Sequence, residues 1–184
     1  MINYHRDLSF SVAKDEARQA VLDFLPEKVE KVISLPAESF TFEGKVKLKY
    51  PDVKIYAYEK KQRIIQRNMH DRYFIVKHLL YDYHHSDVFK ARLDDVDFAW
   101  LDLCSTPSVE VQKNFIKLAR TAKSGSRVVV TLTRKIRFMN KDYKAFATIE
   151  RFVKLVEAFT NGKVVRKYDY VNGRSPMTML FIQF

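Results

Sequence analysis

Cysteine is nearly absent from this chain of 184 residues: Cys104 is the one thiol. A single cysteine excludes an intramolecular disulfide and any zinc site built from several cysteines. A reducing, intracellular and cytoplasmic setting is the simplest expectation. Proline and glycine are scarce too, five and four residues, so no long flexible linker is expected. No apolar run approaches the roughly 18 residues of a membrane-spanning helix, and no membrane association is expected. The opening residues, MINYHRDLSF, lack an apolar run after a basic start and do not read as a secretory leader. Neither GxGxxG nor GxxxxGK(S/T) occurs. That excludes a P-loop nucleotidase and a standard nicotinamide dehydrogenase, because the loop that cradles phosphate is missing.

What the chain does have is apolar content and positive charge. A hydrophobic fraction of 47% over this length supports one core and is short for two. The expectation is a single domain spanning 1–184, with the first helix as an addition to it. Lys and Arg number 33 against 22 Asp and Glu, a formal charge of +11. Such an excess points to a polyanion, usually nucleic acid. The cations are grouped, as in Lys60, Lys61, Arg63 and Arg67, and again in Arg134, Lys135, Arg137, Lys141 and Lys144. Lys60, Lys61, Arg134, Lys135, Arg137 and Lys141 are the candidate phosphate contacts, the last four because they begin at a strand end. Tyr56, Tyr58, Tyr73, Tyr81, Tyr83, Phe138 and Tyr143 lie near cations, a mixture that suits stacked bases, although each ring alone fits a core position.

Periodicity gives the elements. Residues 11–25 form a helix with an apolar stripe and Ser11 as its cap. Residues 31–35 are a first strand and 53–58 a second. Between them, Gly44 and the alternation Lys45-Val46-Lys47-Leu48 argue for a short or irregular crossover. Residues 61–80 read as a helix broken near Asn68 and running toward an uncertain third strand, and 82–95 as a loop or irregular edge. Residues 97–103 are a central strand, nearly all apolar, as burial on both faces requires. A helix over 108–123 is capped by Ser108, a strand covers 127–133, and a helix covers 142–160, ended by Asn161-Gly162. Two strands, 164–171 and 177–184, joined by NGRSP make a terminal hairpin. The fold class is a single-domain, Rossmann-like α/β sandwich with helices on both faces of a mostly parallel sheet and an antiparallel last strand. Ligands in such sheets bind beyond the carboxyl ends of the strands.

This element order, and the terminal hairpin above all, resembles the class I S-adenosylmethionine-dependent methyltransferases. There, strand seven inserts between strands five and six. The resemblance covers most of the chain by architecture. The family's glycine-rich loop should follow strand one, where this chain has Ser34-Leu35-Pro36-Ala37-Glu38-Ser39 and no glycine before Gly44. The resemblance implies S-adenosylmethionine as cofactor, with Ser34 and Glu38 in that loop. Glu59, ending strand two, would take the ribose hydroxyls, and Asp82 or Asp87 the adenine amine. Asp102, ending strand four, takes the catalytic position, orienting an amine or hydroxyl acceptor. DLCSTP is not the DPPY-type motif of amino-methylating DNA enzymes, and the Pro-Cys pair of cytosine-C5 enzymes is missing at Cys104. His78, Asp82, His84, His85 and Asp87 are competent metal ligands, but adjacent loop histidines seldom converge, and no metal is expected. The expected function is a methyltransferase acting on nucleic acid. The alternative is an inactive protein of that fold binding nucleic acid or a protein partner, with a homo-oligomer also open.

Overall fold

A computed structural model of the chain describes residues 12–36, 40–71, 73–134 and 147–184. The chain runs α1 (Val12–Asp23), β1 (Lys31–Ser34), α2 (Thr41–Lys49), β2 (Lys54–Glu59), α3 (Gln62–Asp71), α4 (Tyr73–Leu79) and β3 (Asp82–His85). After a 3-10 turn (Val88–Lys90) come β4 (Phe98–Ser105), α5 (Val109–Ala119), β5 (Arg127–Thr133), α6 (Ile149–Phe159), β6 (Lys163–Asn172) and β7 (Ser175–Gln183).

The strands form one seven-stranded sheet in the order β3-β2-β1-β4-β5-β7-β6. β1 to β5 pair in parallel, and β7 runs antiparallel to both β5 and β6. The expected sandwich with an antiparallel end is therefore the observed one. Gly173, at φ 62, opens the turn between β6 and β7. That conformation is the one the first residue of a two-residue primed turn needs.

Side chains alternate between two cores, as a period of two dictates. Val32, Phe98, Trp100, Val129, Met179 and Phe181 point to the layer of α1, α2 and α4. Their neighbours Ile33, Ala99, Leu101, Val128, Leu180 and Ile182 point to the layer of α5 and α6. At the amino end of the sheet Asp97 ties strands together. Its carboxylate accepts from the Glu30 and Lys31 amides at 2.8 and 2.9 Å and from Lys123 Nζ at 2.6 Å. Burial opposes ionisation of Asp97, but these donors outweigh it and hold the carboxyl below its ordinary value.

Three expectations about elements need correction. The crossover after β1 is a regular helix, α2, not an irregular segment. Phe42 and Val46, four apart, bury one face of it, while Lys45 and Leu48 face solvent. Packing on that face outweighs the helix penalty of Gly44, about 1 kcal/mol. The helix expected over 61–80 comes as two, α3 and α4, but Asn68 is not where they divide: it lies within α3, buried, and its Nδ2 donates to Tyr83 Oη at 3.2 Å. Of the helix expected over 142–160, residues 142–146 lie outside the described residues, and the described helix starts at Ile149, because Thr148 is extended and its hydroxyl caps the helix by accepting from the Arg151 amide. The uncertain third strand is present as β3, a short edge strand that pairs, among the described residues, with β2 alone.

Candidate functional site

The carboxyl ends of β1, β2 and β4 open into a cleft of about 620 Å³. Its walls mix apolar and ionisable groups. Leu35 and Pro36 follow β1, Glu59 ends β2, and Asp87, Val88 and Phe89 follow β3. Asp102, Leu103 and Cys104 come from the end of β4, with Glu110 and Asn114 from the first turns of α5.

Local chemistry sets each acid. Glu59 turns one oxygen back to accept from the Lys61 amide at 2.8 Å, at the entry to α3. Its other oxygen makes no hydrogen bond among the described residues. Asp87 caps the 3-10 turn by accepting from the Phe89 amide at 3.1 Å. Its second oxygen pairs with Lys60 Nζ at 2.6 Å. Asp102 is nearly buried and is met by two donors. Lys14 Nζ of α1 lies 2.5 Å from Oδ2, and Cys104 Sγ donates to Oδ1 at 3.1 Å.

β4 is not regular here. The ladder to β5 pairs Asp102 with Thr131 and then Ser105 with Leu132, so Leu103 and Cys104 bulge out of it. Cys104 has φ 50, a conformation that non-glycine residues adopt rarely. Bulges of this kind re-aim side chains next to binding sites. Cys104 is exposed as a residue, yet its sulfur is packed against Asp102. Desolvation first, then the neighbouring Asp102 charge, push the thiol up to about 12. It is a neutral donor at ordinary pH and not an activated nucleophile.

Beneath the cleft floor lies a second set of charges that the sequence reading missed. Lys14 and Arg18 of α1 and Glu43 of α2 are all buried. Burial raises the Glu43 carboxyl above its ordinary value, while Ser34 and the Arg18 charge pull it down. Tyr170 of β6 is buried as well, and desolvation and then the Asp102 charge push its phenol upward. A signal for the α1 pair was present. Lys14, Ala17, Arg18 and Val21 share the spacing of one helix face, so two cations sit on the apolar stripe.

The structure thus brings Glu59, Asp87 and Asp102 around one opening and leaves other candidates elsewhere. Ser34 ends β1 buried beside Glu43 and does not line the cleft. Asp82 begins β3, at the opposite end of the strand from the cleft, and pairs with His84 at 3.3 Å. Glu38, Lys135, Arg137 and Lys141 lie outside the described residues. Of the expected phosphate contacts that are described, Lys60 is paired with Asp87 and Arg134 with Asp169 at 3.6 Å. Lys61 lines the cleft mouth. No cluster of three or more metal-competent side chains occurs among the described residues. Nor is any described helix long and apolar enough to cross a membrane.

No family model and no curated protein sequence matches the chain. Solved structures do. The N-methyltransferase NodS from Bradyrhizobium japonicum WM9 superposes with a TM-score of 0.64 at 10% identity, covering 95% of this chain and 97% of that one. Magnesium protoporphyrin IX methyltransferase from Synechocystis PCC 6803, solved with S-adenosylmethionine bound, gives 0.65 at 10% identity over 92% and 77%. Geranyl diphosphate methyltransferase, also with S-adenosylmethionine, gives 0.64 at 9% identity over 92% and 85%. At about 10% identity the likeness is one of fold: the seven-stranded, mostly parallel sheet with its antiparallel end is shared with these solved methyltransferases. The expectation of a nucleic-acid substrate is overturned. The substrates named for such matches, protoporphyrin and geranyl diphosphate among them, are small molecules, and none is a nucleic acid.

Proposed function

We propose that the chain is a single-domain S-adenosylmethionine-dependent methyltransferase acting on a small molecule. The observation that carries this reading is the convergence of Glu59, Asp87 and Asp102 on one cleft at the carboxyl ends of β2, β3 and β4 in a 3-2-1-4-5-7-6 sheet.

The residues present fit the cofactor in most of its parts. The free oxygen of Glu59 suits a pair of ribose hydroxyls, since a carboxylate accepts from several donors. Leu35, Val88 and Leu103 offer apolar faces to a purine, and Asp87 stands beside them as an acceptor for its amine. The loop after β1 works differently from a glycine-rich turn, because Pro36 has no amide hydrogen to donate. When bound, S-adenosylmethionine supplies a methyl group on a sulfonium, which passes to the acceptor's lone pair as the carbon–sulfur bond breaks. The chain's own part is placement. Lys14 keeps the Asp102 carboxylate in one position, and its remaining lone pairs take a hydrogen bond from an acceptor N–H or O–H. The Leu103–Cys104 bulge carries the strand end outward to meet that acceptor.

Calorimetric titration with S-adenosylmethionine and S-adenosylhomocysteine tests the reading. One-to-one binding is expected, weakened about tenfold or more in Glu59→Gln through loss of a charged hydrogen-bond acceptor. A folded protein that takes up neither compound at millimolar concentration overturns it. Radiolabelled methyl transfer should then appear with a panel of small amines and hydroxy compounds, and not with a polynucleotide.

A further inference from the structure

On the far side of α5 from the cleft, α5 and α6 enclose a groove of about 430 Å³ that the methyltransferase reading does not use. Its floor is apolar. Ile116 and Leu155 are half-buried along the bottom, and Val109 and Phe159 stand at the two ends with 38% and 52% of their surface exposed. Its rims are cationic. Lys113 and Lys117 lie along α5, Arg120 caps its end with Nε donating to the Phe159 carbonyl at 3.0 Å, and Arg151 faces them from α6. Among the described residues no acidic side chain lines the groove. Neither Lys113 nor Lys117 has an ion-pair partner among the described residues. Elsewhere the chain pairs its cations readily, as Lys14, Lys60 and Lys123 do.

We infer that this groove docks an acidic amphipathic helix of a partner protein. Both walls are helices whose backbone groups are bonded internally, so the groove offers an occupant no strand edge. The occupant must satisfy its own backbone, which a helix does. α5 has 11 residues, about three turns or some 16 Å. That length matches anchors at i, i+3 or i+4, and i+7 of a docked helix, set against Val109, Ile116 and Phe159. Carboxylates flanking those anchors would meet the Lys113 and Lys117 rim on one side and Arg151 on the other.

Other occupants fit less well. Residues 135–146, KIRFMNKDYKAF, are themselves strongly basic. A second copy of the chain brings a charge of +11 to a positive groove. A flat anionic bilayer would reach the cationic rims but not the recessed Ile116 and Leu155.

Fluorescence anisotropy with two labelled synthetic helical peptides tests the inference on the full chain. Both carry leucines at i, i+3 and i+7; one has glutamates at the flanking positions and the other lysines. The glutamate peptide should bind, more weakly as salt rises, and the lysine peptide should not. Lys113→Glu with Lys117→Glu should weaken binding at least tenfold. Phe159→Ser should do so as well, and because all three side chains are exposed the melting temperature should hold. Equal binding of the two peptides, no binding of the glutamate peptide near millimolar concentration, or binding indifferent to both variants overturns the inference. So does concentration-dependent self-association, or uptake by phosphatidylserine vesicles, that both variants abolish while peptide binding is unchanged. Because these readouts do not involve S-adenosylmethionine, they stand or fall apart from the cleft.

Discussion

Lys14 of α1 and Asp102 at the end of β4 form an ion pair of 2.5 Å with both side chains almost wholly buried. The pair joins the first helix to the strand end that carries the candidate catalytic acid. Removing one partner breaks a largely buried ion pair and leaves the remaining charge less well compensated, which costs about 3 kcal/mol. Lys14→Met and Asp102→Leu should each lower stability by that order. The double variant should recover much of the loss, since two apolar chains can replace a buried pair. Chemical denaturation of the four proteins checks this. Losses that simply add would show that the pair is not a unit.

Glu43 predicts a pH dependence. Burial raises its carboxyl in the folded chain above the ordinary value of 4.5. The folded state therefore holds this proton more tightly than the unfolded chain does. The stability that the protonated carboxyl provides is complete below about pH 4.5 and is lost as pH rises through the raised value. Glu43→Gln keeps the shape without the charge. It should melt above the wild type at pH 7, and the gap should close as the pH is lowered toward 4.5. A gap that stays constant with pH would place the Glu43 charge outside the titration.

The sheet was readable from sequence wherever burial on both faces left a continuous apolar run, as in Phe98–Leu101, Val128–Val130 and Met179–Ile182. Ser108 was readable as a cap because its hydroxyl and the following apolar spacing are local signals. α2 was not, because its helical state rests on Phe42 and Val46 meeting the sheet, a tertiary contact that outweighs Gly44. Glu59 and Asp102 stood out as acids closing apolar strands. The bulge at Leu103–Cys104 did not, since nothing in DLCS shows a slipped register. Nor did the buried cations of α1 stand out. A charge on a helix is usually solvated, and only its spacing with Ala17 and Val21 marks Lys14 as turned inward.

Two nearby acids separate the cleft from the sheet edge. Asp87 lines the cleft and caps the 3-10 turn, whereas Asp82 lies at the other end of β3. Asp87→Asn should weaken S-adenosylmethionine binding several-fold by removing an acceptor beside the apolar walls and releasing Lys60. Asp82→Asn should leave it unchanged. Titration calorimetry on both variants decides the matter. Equal losses would mean that the cofactor reaches past β3 to the edge of the sheet.

Gly162 shows how a glycine can be required for space and not for backbone freedom. Placed after α6, it reads as a left-handed helix stop, but its φ is not positive, and the cap is Thr160, whose amide donates to Val156 O. A Cβ on Gly162 would come within 2.7 Å of Phe184 Cε1 and 2.9 Å of Ile182 Cγ2. Ile182 is fully buried and has no room to retreat, so the Phe184 ring must swing away. Gly162→Ala should therefore cost about 1–3 kcal/mol, the range of overpacked core positions. Phe184→Ala alone should also destabilise, through lost burial. Combined with Gly162→Ala it should cost less than the sum, because the ring that the new methyl strikes is gone. A cost for Gly162→Ala that Phe184→Ala leaves untouched would locate the constraint in the backbone after all. Thermal denaturation of the single and double variants supplies the comparison.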